Sequence, residues 1–243
     1  MHIAASRWEA LRVIFHHTVM KNFVHGIGWL TREAYGCIRS GLCNSFAPAE
    51  GVRSLAKQDI FQHPFKNIGR LDSISRMTAY AVALALKDAE MEYASARKQE
   101  IGIIGTSSGG SLTSDVEYFK DYIQGGRTLS RANLFIYTLP SSPLGEAAIH
   151  FGFMGPLLYT ASQGNSLTTV MDMSAEILAT QEATLMLAGQ AEDGEALYFV
   201  IGPNQSEKTL CELSMVRPIV EADKNITDMI RTLSHLKDGN DPL

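Results

Sequence analysis

Apolar residues recur along the chain as short runs alternating with helix-spaced stripes. NFVHGIGWL (22–30) mixes Val, Ile and Trp with two glycines, the pattern of a strand followed by a turn. Residues 40–70 are rich in Gly, Pro, Ser and Asn and read as surface loops. Ile74, Met77, Ala81 and Leu84 then share one helix face, with Ser73 or Asp72 available as N-cap. EIGIIG (100–105) predicts a buried strand ending in the turn GTSSGG, and an amphipathic helix follows from about Leu112 to Ile123. After a loop with Gly125, Gly126 and Arg127 come NLFIYTLPSSPLG, a helix-like GEAAIHFGF, and the strand GPLLYT (155–160). Leu167, Val170, Met171, Ser174, Ile177 and Leu178 line one face of the most regular helix. ATLMLAG (183–189), ALYFVIG (196–202) and CELSMV (211–216) predict three more strands, and a last helix covers about 223–237 before a frayed GNDPL tail. Strands alternating with helices, without repeats, predict an α/β domain.

The first 20 residues leave two readings open. They form a short amphipathic helix, or they are not native and Met20, directly before the first strand-like run, is the true start. The domain proper is taken as 21–243.

Composition narrows the class. The 243 residues, 45% hydrophobic and 19% charged, suffice for a sizeable core and argue against disorder. Lys and Arg number 21 against 26 Asp and Glu, so the basic excess usual in a nucleic-acid binder is missing. No apolar run approaches a membrane span, and Trp8, Glu9 and Arg12 interrupt any signal-peptide core. Cys37, Cys43 and Cys211 make an odd count in no metal pattern, which predicts a reduced, cytoplasmic setting.

Gly105-Thr106-Ser107-Ser108-Gly109 matches G-x-S-x-G between a strand and a helix, the context of a hydrolase nucleophile elbow. A serine hydrolase or acyltransferase is therefore the alternative function. Asp115, His150 and His235 lie downstream, but no spacing singles one out as acid or base, and a tight turn packing helix on strand explains the glycines equally. The loop lacks the spacing of a phosphate-binding motif. His16 and His17 are adjacent and cannot face one metal from a regular element. Arg53, Lys57, Lys66, Arg70 and Arg76 read as a solvated surface or a shallow patch for an acidic partner.

Several segments occur in one family's order: RLDSISRMTAYAVALALKDAEM, an Arg-x-Asp-x-x-Ser helix ending in Leu-x-Asp-Ala; IGIIGTSSGG; LPSSPLGEAAIHFGFMGP; and MLAGQAE, where the family reads Ala-Gly-Gly-x-Glu. Over about residues 21–202 the chain resembles the N-terminal half of the β-ketoacyl-acyl-carrier-protein synthases. That resemblance implies a single-domain thiolase-like half, a mixed sheet covered by helices, without cofactor or metal.

The departures from the family carry the functional expectation. An active synthase ends its Gly-Pro strand in Thr-Ala-Cys, with the cysteine at a helix N-terminus that lowers its pKa. Here the run is Thr160-Ala161-Ser162-Gln163-Gly164-Asn165-Ser166-Leu167. An ungapped count puts the cysteine-equivalent at Gly164, and matching Ser-Leu with a compensating gap puts it at Gln163; neither is a nucleophile. Ser162 is near but would need a base, and the family's two catalytic histidines belong to its C-terminal half. The resemblance thus implies a catalytically inactive half-synthase similar to the chain-length factors, of the bacterial aryl polyene type. Such a subunit heterodimerises with an active, cysteine-bearing synthase served by acyl carrier protein and shapes its acyl tunnel during polyketide elongation. Leu157, Leu158, Tyr159 and Thr160 are the expected dimer edge. Phe135 and Tyr137, within Asn133 to Pro140, are the expected tunnel gate, with ordinary core packing as the competing role.

Overall fold

The computed structural model describes residues 21–47, 51–94, 96–128, 131–161, 166–222 and 225–236, excepting the side chains of 53 and 54. The N-terminal 20 residues and the GNDPL tail lie outside them. The strands are β1 (Phe23–Leu30), β2 (Ala34–Cys37), β3 (Cys43–Ser45), β4 (Ile101–Thr106), β5 (Leu157–Tyr159), β6 (Leu185–Glu192), β7 (Glu195–Gly202) and β8 (Cys211–Glu212). The helices are α1 (Lys57–Ile60), α2 (Ser73–Asp88), α3 (Leu112–Gln124), α4 (Ala132–Phe135), α5 (Ser142–Phe151), α6 (Ser166–Ala179), α7 (Leu213–Ala222) and α8 (Ile226–His235).

The strands form one mixed sheet in the order β3-β2-β1-β7-β6-β4-β5, with β8 pairing to the start of β1. β4 runs parallel to β5 and β6, and the remaining pairs are antiparallel. One core lies between the sheet and α2 and α5, the other between the sheet and α6, α7 and α8. The expected stripe on α6 is its buried face, residue for residue. Residues 40–70 depart from a pure surface loop: Phe46, Leu55, Ile60, Phe61 and Ile68 are buried in the first core. CELSMV is also corrected. Only Cys211–Glu212 pairs as strand, because Val216, Ile219 and Val220 bury together at helix spacing in α7, despite Pro218 inside that helix.

α2 is buried on nearly every side. It meets β1 backbone to backbone, since a Cβ on Gly28 would overlap Ala85 N and Ala81 O, and one on Gly26 would overlap Ala89 N and Ala85 O. Both ends of the helix are fastened by a carboxylate. Asp72 caps the N-terminus by accepting from Ser75 N–H at 2.9 Å. Asp88, 1% exposed, accepts from Ile27 N–H and Arg39 N–H, both at 2.9 Å, and from Ser40 N–H at 2.8 Å. These satisfy three backbone donors that would otherwise be costly to bury.

His150, on α5, sits among aromatic rings, stacked on Phe65 at a centroid distance of 3.9 Å and edge-on to Tyr93 at 5.7 Å. Burial, with a smaller contribution from His63, pushes it down to about 4 from 6.5.

Two outcomes follow from these contacts. Gly28→Ala should destabilise the fold by roughly 3 kcal/mol, because α2 must lift off β1; a denaturant midpoint close to wild type would contradict the contact. In the unfolded chain His150 takes a proton near pH 6.5, whereas the folded form resists until about 4. Its contribution to stability is therefore intact above pH 6.5 and lost as the pH falls toward 4. Over that interval His150→Phe should flatten the fall in melting temperature; an unchanged slope would count against the aromatic cage as the cause.

Candidate functional site

The candidate site lies at the β4–β5 end of the sheet. β4 delivers the GTSSGG turn, and Ser108 gives both its N–H and its hydroxyl to Glu192 at the end of β6. The Ser107 hydroxyl has Gly110 O at 3.4 Å and the Tyr159 hydroxyl at 3.3 Å as partners. Neither His150 nor His235 reaches Ser107, and no carboxylate does among the described residues. Nor does Ser107 adopt the positive φ of a strained elbow; the non-glycine residues that do are Glu90, Arg127 and Gln181. The elbow expectation is thereby corrected: this is a packed turn held by Glu192 and Tyr159.

The segment after the turn is unusual. Leu112, Val116, Phe119 and Ile123 give α3 its apolar stripe, and the stripe points away from the molecule's own core. Leu112 is 64% and Phe119 61% exposed, while the only buried residue of the helix is Ser114. Ser114 donates its hydroxyl to the Asp72 carboxylate at 3.0 Å, tying α3 to the capped end of α2. α4 packs on α3 through Tyr118 and Phe135, whose ring centroids are 5.7 Å apart. Phe135, Ile136 and Leu139 continue the exposed apolar surface.

β5 is the outermost strand at this end. Among the described residues it pairs only with β4, and Leu157 and Leu158 are exposed on it. Thr160 N–H donates to Gly105 O at 3.0 Å, holding the end of the strand on the sheet.

The two gate candidates occupy different places. Phe135 is 55% exposed on the outer surface. Tyr137 is half-buried, between a small void under the glycine turn and an open cleft between the start of α2 and the α3–α4 segment. Burial, Glu146 and Asp72 raise its phenol pKa, and burial together with Asp72 raises that of Glu146.

Gln163 and Gly164 lie outside the described residues. The thiols of the chain are elsewhere. Cys37 and Cys43, on β2 and β3, are four and five strands from β4, roughly 20 Å at the usual strand spacing. Burial pushes Cys37 and Cys211 up to about 12, so neither is a thiolate at neutral pH. Among the described residues no cluster of His, Cys, Asp and Glu could hold a metal, and no helix is long and apolar enough to cross a membrane.

The sequence matches the family described as "Beta-ketoacyl synthase, N-terminal domain" over residues 48–197. The chain belongs to that family. Solved structures share the thiolase-like ketosynthase fold. "The ishigamide ketosynthase/chain length factor" is 16% identical with a TM-score of 0.54, over 77% of this chain and 63% of that one. A type II polyketide synthase acyl-carrier protein in complex with its ketosynthase bound to the hexaketide gives 12% and 0.55, over 80% and 62%. A β-ketoacyl synthase from Burkholderia phymatum STM815 gives 17% and 0.58, over 86% and 70%. The chain thus spans less than two thirds of the first two proteins' length. No curated protein matches the sequence.

Within this ketosynthase-family half, the α3 surface is not foreseen in the sequence, because periodicity locates a stripe without saying which way it turns; β5 is the segment named above as the expected dimer edge. A thiol titration checks the placement of the cysteines. Ellman's reagent at pH 8 should label Cys43, the exposed thiol, promptly, the half-buried Cys211 slowly, and Cys37 only after denaturation. A fast-reacting Cys37 or Cys211 would contradict it.

Proposed function

We propose that this chain is a catalytically inactive, chain-length-factor-type subunit that pairs with an active β-ketoacyl-acyl-carrier-protein synthase and shapes the tunnel for the growing chain. The observations that carry the reading are the outward apolar face of α3 and the outer edge of β5, unpaired among the described residues, whose Tyr159 meets the turn that opens α3. A helix that buries a serine and exposes Leu, Val, Phe and Ile presents the kind of apolar face that another protein covers. An edge strand offers backbone hydrogen bonds to a matching strand. The partner chemistry follows from the family: its members elongate acyl chains with a cysteine, and neither Gln163 nor Gly164 supplies one here. Acyl carrier protein delivers the chain to the partner's cysteine. Phe135, exposed beside the same face, would then reach the partner's tunnel as a steric stop. Polyketide chains, and aryl polyenes in particular, are the substrate class that the sequence resemblance favours.

Co-expression with a cysteine-bearing ketosynthase from the same source should yield a 1:1 complex by chromatography with mass determination. Phe119→Lys should weaken it by about thirtyfold or more, as for loss of a buried aromatic anchor. Phe135→Ala in the complex should lengthen the product, because an apolar tunnel admits further units once the stop is gone. A stable monomer indifferent to ketosynthases would sink the proposal. A complex whose product length ignores Phe135→Ala would leave a scaffold that does not touch the tunnel.

A further inference from the structure

The small void under the glycine turn measures about 20 Å³, room for one water and for nothing larger. Leu139 is exposed at its rim, and Thr78 of α2, Leu144 of α5 and Tyr198 of β7 are buried at its floor. Gly105 shapes that floor. A Cβ there would stand 2.8 Å from the Tyr198 hydroxyl and 2.7 Å from Leu144 Cδ2, so the glycine lets the phenol end reach over β4.

Around the walls the polar groups are engaged. Asp72 accepts from Ser75 N–H and the Ser114 hydroxyl, the Ser111 hydroxyl donates to Asp115 at 3.0 Å, and the Ser107 and Tyr159 hydroxyls face each other at 3.3 Å. Thr106 follows Gly105 on β4, so its side chain turns to the other face of the sheet. The floor differs. Thr78 is 0% exposed, and its hydroxyl has no partner in hydrogen-bond geometry among the described residues. Tyr198 is equally buried. Burial raises its phenol pKa, so it keeps its proton and stays a donor, while the nearby Thr78 hydroxyl partly offsets the rise. The two hydroxyls are thus neighbours that do not align on each other. A water between them would accept from the phenol and donate to the threonine oxygen, removing the cost of a buried, unbonded hydroxyl.

We infer that this void is a binding site for one ordered water, which bridges the Tyr198 and Thr78 hydroxyls and joins α2 to β7 beneath the glycine turn. The site belongs to the folded chain itself and stands whether or not a ketosynthase binds.

A crystal structure of the full chain, alone or in a complex, at a resolution that shows ordered water should carry a density peak within hydrogen-bond distance of both Tyr198 Oη and Thr78 Oγ1. Thr78→Val should remove the peak, and Thr78→Ser, which keeps the hydroxyl, should retain it. Stability supplies an independent sign, because valine matches threonine in shape and nearly in helix propensity. With the water bound, Thr78→Val breaks the bridge and raises the unfolding equilibrium constant about fivefold to tenfold, lowering the denaturant midpoint. A Thr78 hydroxyl without a partner predicts the reverse, since valine would then remove a buried group that bonds to nothing. Tyr198→Phe should cost a similar factor, and the double variant little more than either alone, because the one water is lost once. If valine prevents folding, the peak in the wild type and in Thr78→Ser decides. No peak in the void, a direct Tyr198–Thr78 bond with no density between them, or a Thr78→Val midpoint at or above wild type overturns the site.

Discussion

Backbone rests on backbone where α2 crosses β1, and the position of every other functional element is set from that contact. Gly26 and Gly28 remove the side chains that would hold helix and strand apart, and Ala81 and Ala85 do the same from the helix side. Asp88 then locks the C-terminal end of α2 to the backbone of β1 and of the turn beyond β2. At the other end, Asp72 caps the helix and holds Ser114, so a single carboxylate fixes both the start of α2 and the start of α3. A shift of α2 on β1 would carry the α3 face with it.

That coupling gives meaning to the inverted helix. An exposed apolar stripe on a loosely attached segment would be an aggregation hazard. Here the stripe is held in place by the ties of α3 to α2 and α4, the arrangement expected where a second subunit completes the structure. Stability and assembly pull against each other in such a chain: the core around α2 is complete, while under the proposed function the β4–β5 end is completed by a partner.

Much of the fold was legible in the sequence, for identifiable reasons. The α6 stripe buries as its spacing predicts because sheet and helix meet along one straight seam. The Asp72 cap could be read from a short polar residue before an apolar periodic run. CELSMV misled because β-branched and apolar residues in a short run do not separate strand from helix until Ile219 and Val220 are included. The candidate site was less legible. Periodicity correctly gave α3 as amphipathic, yet which way the stripe turns depends on contacts with α4 and α2 that lie far apart in sequence. The family resemblance points to Phe135 and Tyr137 together, yet Phe135 ends α4 and faces outward while Tyr137, in the 3-10 turn that follows, is half-buried.

The central claim, that a partner covers α3 and the free edge of β5, is tested most directly by hydrogen–deuterium exchange of this chain alone and with its ketosynthase. The expected result is slowed exchange at the β5 amides that do not bond to β4 and along Leu112 to Gln124, with β2 and β3 at the opposite edge unchanged. Protection confined to the β2–β3 edge, or none at β5 and α3 in a proven complex, would contradict it.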